Sequence, residues 1–219
     1  MVEQYLCLDM LTFPRYYSDI HPTLPFLPHN KNRLNTRLNS CPPILRDAFL
    51  EALYTTIRSL SSNTPQYGES QSSRKAGSLI AAAQFDNPST RSMPNNLIYL
   101  QAMILMAIEA DHHGPSAMRS HSGPSQSVWL GSAIGLAYSM KLHVPKQKEI
   151  VSDGDADSDE KLARRCWLVL VTMDKFHASS TSSPGLIPDA SVVILADDQQ
   201  FGESTFHLAS KTTLRTTDI

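Results

Sequence analysis

The chain is poor in the residues that build covalently or metal-held folds. Its 219 residues include three cysteines, Cys7, Cys41 and Cys166. They are odd in number and far apart, and no Cys-x-x-Cys pair occurs, which argues against a disulfide framework and against a cysteine zinc site. Such usage fits a reducing intracellular compartment. A positive charge excess is missing as well: 19 Lys and Arg stand against 21 Asp and Glu, for a formal net charge of -2. A surface that tracks nucleic acid as a whole would be basic and clustered. Long apolar runs are absent. The longest, Leu97–Ile108, is too short to cross a bilayer and contains Gln101. Glu3 and Asp9 interrupt the apolar residues of the N-terminus, and no basic segment precedes them, so neither a secretory leader nor a membrane partner is expected.

What is present is an all-α pattern, interrupted by 14 prolines and by many serines and threonines. It predicts an irregular multi-helix domain with long Pro/Ser-rich loops over residues 1–196, long enough to bury a core. The stretch around which the chain is organised is Glu160–Asp189, EKLARRCWLVLVTMDKFHASSTSSPGLIPD. A charged start leads into an apolar helix whose stripe is Leu162, Cys166, Val169, Met173 and Phe176, widened by Trp167, Leu170 and Val171. Asp157 or Ser158 is positioned to cap it, and Asp174 and Lys175 close the apolar run before a Ser/Pro/Gly exit.

Upstream, Tyr5–Phe13 forms a first short helix that Pro14 stops or bends. Pro22, Pro25 and Pro28 then exclude a regular helix over HPTLPFLP, and Leu24, Phe26 and Leu27 make this an extended, packed connection. Pro42 and Pro43 start a helix with Leu45, Phe49, Leu53, Ile57 and Leu60 on one face, while Arg46, Asp47, Glu51 and Arg58 form a solvated face. Ser61–Ser78 reads as a mobile loop, Ala76–Phe85 as a short helix and Asn87–Pro94 as a break. Asn95 or Asn96 caps a helix buried on most sides, Leu97–Ile108, which Glu109, Asp111, His112 and His113 end before Gly114–Pro115. Ser127 caps a helix to about Leu142, on which Gly131 and Gly135 allow close approach of a neighbouring helix. Ser191–Ala196 is a short strand or helix, and residues 197–219 are polar and predicted to be a disordered tail.

Candidate chemistry is thin. Asp153, Asp155 and Asp157 alternate as in a calcium loop, but Ser158 and Arg164 stand where glycine and a bidentate glutamate are needed, so a solvated acidic loop is the reading. His112, His113 and His121 lack an i, i+4 pair, and a role at the helix end is preferred to zinc binding. Gly131–Gly135 reads GSAIG, with Ser132 misplaced for a nucleophile elbow. Asp174 and His177 lie one helical turn apart, which predicts an ordinary side-chain contact. Arg164 and Arg165 are too few for a nucleic-acid patch and are assigned to salt bridges or carbonyl contacts that pin the helix. The expectation is no enzyme: no catalytic residue, no cofactor-binding residue and no metal ligand.

Four segments together resemble the fungal-specific transcription factor domain, or middle homology region, of binuclear zinc-cluster regulators. They are Tyr16–Leu27 (YYSDIHPTLPFL), the Ala/Leu-rich helix Leu45–Arg58, the pair Leu97–Glu109 with Val128–His143, and Lys161–Asp189 with its Arg-Arg, Trp, apolar run and Leu-Ile-Pro-Asp exit. Lys175 stands where the family commonly has arginine, Cys166 where it often has a large apolar residue, and Gly185 lies inside the exit motif. The resemblance implies a nuclear, regulatory, all-α domain that modulates transcription by RNA polymerase II through protein partners, self-association or a small-molecule effector. DKFHASSTSSPGLIPD is most similar to regulators of sugar uptake or carbon-source response. In that family, DNA binding belongs to an N-terminal six-cysteine zinc cluster, which this chain lacks. Neither DNA contact nor zinc is therefore expected of its own residues, and DNA is reached only through a missing N-terminal module. The domain is expected to be incomplete, as a fragment, a truncated product or a partner protein. A soluble helical protein-interaction scaffold is the alternative.

Overall fold

Fourteen prolines divide the chain into short units, and the structure shows which units wind into helices despite them. The computed structural model describes residues 12–61, 69–84, 92–117, 124–144, 155–195 and 198. The principal elements are α1 (Lys31–Ser40), α2 (Pro43–Ser61), α3 (Glu69–Gln84), α4 (Met93–Ala117), α5 (Gln126–Ser139) and α6 (Asp159–Thr181). Helical residues 12–20 precede them, ending in the π-helical turn Tyr16–Ile20, and a 3-10 turn, Asp189–Ser191, follows them. The expected all-α class is the one observed, with no strand among the described residues.

The centre of the fold is α4, which touches α2, α3, α5 and α6. Every residue from Leu97 to Ala107 is buried, Gln101 included, so the helix has no solvent face along this run. Although Glu160–Asp189 looks like the organising stretch in sequence, α6 packs against α4 and α5 while α4 is the hub. α6 is itself buried without interruption from Arg165 to Asp174. Phe176 departs from the expected stripe and is 47% exposed. Phe176 lies two residues beyond Asp174, where the buried run of the helix ends.

The extended segment between Ile20 and α1 is packed, as expected: Phe26 and Leu27 are fully buried. Its backbone has no ladder, so side chains take over that role. Tyr16 Oη donates to the Leu24 carbonyl and accepts the Leu27 N–H, both at 3.2 Å. Gln101 Nε2 donates to the Phe26 carbonyl at 2.7 Å, and the Cys166 thiol donates to the same oxygen at 3.5 Å. Tyr17 Oη donates to the Pro28 carbonyl at 2.7 Å.

Several boundaries differ from the sequence reading. Pro14 does not stop the first helix, which continues into the wider π turn where the His21 N–H donates to the Tyr16 carbonyl at 2.9 Å. α1 has no counterpart in that reading. Its signals are the Asn30 side chain, which accepts the Asn32 N–H, and Leu34 with Leu38 on one face. Glu69–Ser78 is helix, not loop. α3 offers a buried stripe, Ser73, Ala76, Ile80 and Ala83, in which only Ile80 is large, and packing against α2 and α4 stabilises what its weak apolarity does not. α4 starts at Met93 with Pro94 in the first turn, where no intrahelical N–H is needed, so neither Asn95 nor Asn96 is the cap. It then runs past Gly114–Pro115 to Ala117, because one lost hydrogen bond near a helix end is tolerable. α5 is preceded by Ser125 rather than Ser127 and ends at Ser139, with Lys141 in the left-handed region at φ 58°. The segment after Ser191 is neither strand nor helix through Leu195. The expectations for Tyr5–Leu11, for 62–68, for 85–91, for the loop at 118–123, for 145–154 and for most of the tail lie outside the described residues.

Candidate functional site

The N-terminus of α6 carries the densest polar network. Ser158 caps the helix by accepting the Lys161 N–H. Asp157, beside it, is 4% exposed and not part of a solvated loop. One carboxylate oxygen accepts the His29 N–H at 2.8 Å and Arg165 Nη2 at 2.8 Å, and the other accepts the Asn30 N–H at 2.9 Å. Burial alone would raise this carboxyl, but the two backbone donors and the guanidinium outweigh it and hold it below its ordinary value. Arg37 donates to the Asp157 carbonyl and pairs with Asp159, while Arg33 pairs with Asp155, so α1 is fastened to the cap of α6. Beside this knot His21 Nε2 and His29 Nδ1 share a hydrogen bond at 2.8 Å, and His21 Nδ1 lies 3.3 Å from Tyr16 Oη. Burial first, then the neighbouring His29 and Arg165, push His21 down to about 4. Burial pushes Tyr17 and Cys166 up to about 12.

The paired arginines do pin the helix as read. Arg165 faces Asp157, and Arg164 reaches the Val193 carbonyl and grips both oxygens of Asp198 at 3.0 and 2.6 Å. Asp198 is 1% exposed and so belongs to the packed body. Asp174 and His177 do not meet. Asp174 Oδ1 and Oδ2 accept the Leu186 and Ile187 N–H groups at 2.9 and 2.8 Å, closing the exit loop, whereas His177 bonds Gln126 at 2.8 Å. A Cβ at Gly185 would stand 3.0 Å from Asp174 Oδ2, so any larger residue there presses on this carboxylate. Lys175 pairs with Asp189 across the same loop.

Two more carboxylates are buried that the sequence placed on the surface or at a helix end. Glu51 is 6% exposed and pairs with Lys75 of α3 at 2.8 Å. Glu109 is fully buried and accepts from Ser73 at 2.6 Å. Both depend on α3, the element whose first half reads as loop, so no local signal revealed them.

A cleft of about 630 Å³ opens between α3, α4 and α5. Tyr99 and Met103 of α4 and Trp129 of α5 form its apolar side; Ser73, Gly77 and Ser78 face them from α3, and Ser132, Gly135 and Ser139 from α5. The glycines of α5 do not serve close helix packing. A Cβ at Gly135 would meet nothing within 4 Å, and one at Gly131 would only touch Leu186 at 3.8 Å. The glycine under a neighbour is Gly77, where a Cβ would stand 3.6 Å from the Trp129 ring. Ser132, misplaced as a nucleophile, is an exposed residue on this rim. His112 is exposed on α4; the His113 side chain, His121 and Asp153 lie outside the described residues. Among the described residues no three His, Cys, Asp or Glu side chains gather as a metal site, and no helix is long and apolar enough to cross a membrane.

Among the described residues the arrangement is a helical body with polar ties and an open cleft. The family model described as the fungal specific transcription factor domain matches residues 14–212. A protein of Schizosaccharomyces pombe named uncharacterized transcriptional regulatory protein C320.03 is 37% identical over 193 residues, covering 88% of this chain. The chain spans 22% of that relative's length. No solved structure matches. The match takes in the Tyr16–Leu27 segment, both apolar helices and the Asp174-closed exit, and the chain therefore belongs to the fungal specific transcription factor domain family.

Proposed function

We propose that this chain is the regulatory part of a fungal transcription regulator that acts in the nucleus, has no enzymatic activity, and restrains or releases transcription by RNA polymerase II. It works through protein partners, self-association or a small effector, and its signal is carbon source. DNA contact falls to a separate zinc-cluster module, so no DNA or zinc ligand is assigned to these residues. The observation that carries the reading is the family match over residues 14–212, reinforced by a relative named as a transcriptional regulator.

The test fuses residues 1–219 between a heterologous DNA-binding domain and an activation domain, with a reporter read in glucose and in a poor carbon source. The expected result is a reporter several-fold lower than without the insert in one of the two media. An insert that changes the reporter in neither medium sinks the regulatory reading, and an equal effect in both sinks the carbon-source part.

A second reading, a helical protein-interaction scaffold, draws on the exposed Val128, Phe176 and Leu186 near the junction of α5, the end of α6 and the exit loop. Partner capture that is lost on Leu186→Asp, together with a silent reporter, would favour it.

A further inference from the structure

The segment that follows the 3-10 turn lies along α6 with only one side of its backbone used. Arg164 donates to the Val193 carbonyl, and Asp198, the carboxylate that Arg164 grips, accepts the Leu195 N–H at 2.7 Å. The Val193 carbonyl and the Leu195 N–H therefore both face α6. In a trans peptide the C=O and the N–H point in opposite directions. The peptide that turns the Val193 carbonyl inward turns the Ile194 N–H outward, and the one that turns the Leu195 N–H inward turns the Ile194 carbonyl outward. Neither Ile194 group has a hydrogen-bond partner among the described residues. The side chains are open as well: Val193, Ile194 and Leu195 are 42%, 56% and 38% exposed.

An N–H and a C=O offered outward by one residue are the two groups that directly opposite residues exchange in an antiparallel strand pair. Proteins block such edges with charge, with proline or with a covering element. Ser191–Leu195, SVVIL, carries neither charge nor proline, and Val192, Val193 and Ile194 are β-branched residues suited to a strand. Arg164 and Asp198 hold the segment from behind, so little order has to be gained on pairing. We infer that this edge pairs antiparallel with the same edge of a second copy of the chain, across a two-fold axis at Ile194. The Ile194 N–H of each copy donates to the Ile194 carbonyl of the other, and Val193 lies opposite Leu195. A two-fold contact needs a self-complementary patch, and a donor and an acceptor on one side of one residue supply it. Charge agrees with a second copy: SVVIL brings no like charges face to face, and a charged peptide would find no ion pair on it. The contact is short, so the dimer is weak and reversible. This deepens the self-association part of the regulatory reading and rests on it.

The test sediments the whole chain over a concentration series and follows exchange of the Ile194 amide by NMR. The wild type is expected to form a dimer with a Kd on the order of 10 μM, and the Ile194 amide to slow as the dimer forms. Ile194→Lys and Ile194→Glu change an exposed side chain and leave the backbone groups in place, so circular dichroism stays unchanged. Each weakens the dimer by about tenfold or more, because like charges then stand opposite each other across the axis. Mixing the two variants restores association at low salt, because lysine then faces glutamate. A wild-type chain that stays monomeric up to about 1 mM overturns the assignment and leaves the edge to a different protein. A dimer that neither charge weakens, or that the mixture does not restore, overturns it too. So does an Ile194 amide already slow in the monomer, since another part of the same chain then covers the edge. Transcription does not enter the sedimentation, so a monomeric chain condemns the edge alone and a silent reporter condemns the regulatory reading alone.

Discussion

Arg165 and Asp157 meet at 2.8 Å with side chains 0% and 6% exposed, a buried ion pair at the head of α6 whose carboxylate also accepts the His29 and Asn30 N–H groups that lead into α1. Arg165 Nε and Nη1 are buried without a hydrogen-bond partner among the described residues, so the guanidinium depends heavily on this one carboxylate.

Removing one partner leaves a buried charge uncompensated. Asp157→Ala is expected to lower unfolding stability by about 3–5 kcal/mol, because Arg165 and two backbone N–H groups lose their acceptor together. Adding Arg165→Met recovers a large part of that loss, since a buried pair replaced by apolar groups is often close to neutral. Denaturant melts of the single and double variants check this. Costs that simply add would show that the two residues do not act as a pair.

Acid weakens the same region, and His21 and Asp157 show the sign, which the lowered His29 and Asp155 share. A folded chain that holds His21 at about 4, against an ordinary 6.5, binds fewer protons than the unfolded chain between those values. Stability therefore falls as pH drops through that window and is complete at neutral pH. Asp157, held below its ordinary value, extends the loss further: its contribution is present above the unfolded carboxyl pKa and disappears as pH falls through the folded one. The thermal midpoint is expected to drop from pH ~7 to pH ~4.5, and His21→Gln to flatten that slope. A midpoint that rises over the same interval contradicts the assignment.

Trp167 is fully buried, edge-on to Tyr138 at 5.5 Å between ring centres and 6.0 Å from His143. Trp167→Ala is expected to cost about 3–5 kcal/mol, the loss typical of an emptied aromatic site. A loss below about 1 kcal/mol on denaturant melting would mean that the ring is not part of the core.

The apolar helices were legible because their signal is local. Leu45, Phe49, Leu53 and Ile57 recur at helical spacing whatever they pack against, and so does the stripe of α6. The capping role of Ser158 was legible for the same reason, as was the packed, non-helical segment that Pro22, Pro25 and Pro28 enforce. The order of these segments also carried the family. Helix extents were less legible: Pro14 and Pro115 read as breaks, yet each lies within helix.

Residue order by itself determined which segments wind and which faces are apolar, since a 3.6-residue period follows from backbone geometry alone. Only the tertiary structure decided which polar groups go inside. Glu51, Glu109, Asp157 and Asp174 look alike in sequence to exposed carboxylates; each is buried because its donor, Lys75, Ser73, Arg165 or the Leu186 and Ile187 N–H groups, arrives from another element or turn. The cleft was decided in the same way, because its lining comes from three helices distant in sequence. Burying a charge is costly until its partner is in place, and partners that only folding brings together leave no periodic trace in the chain.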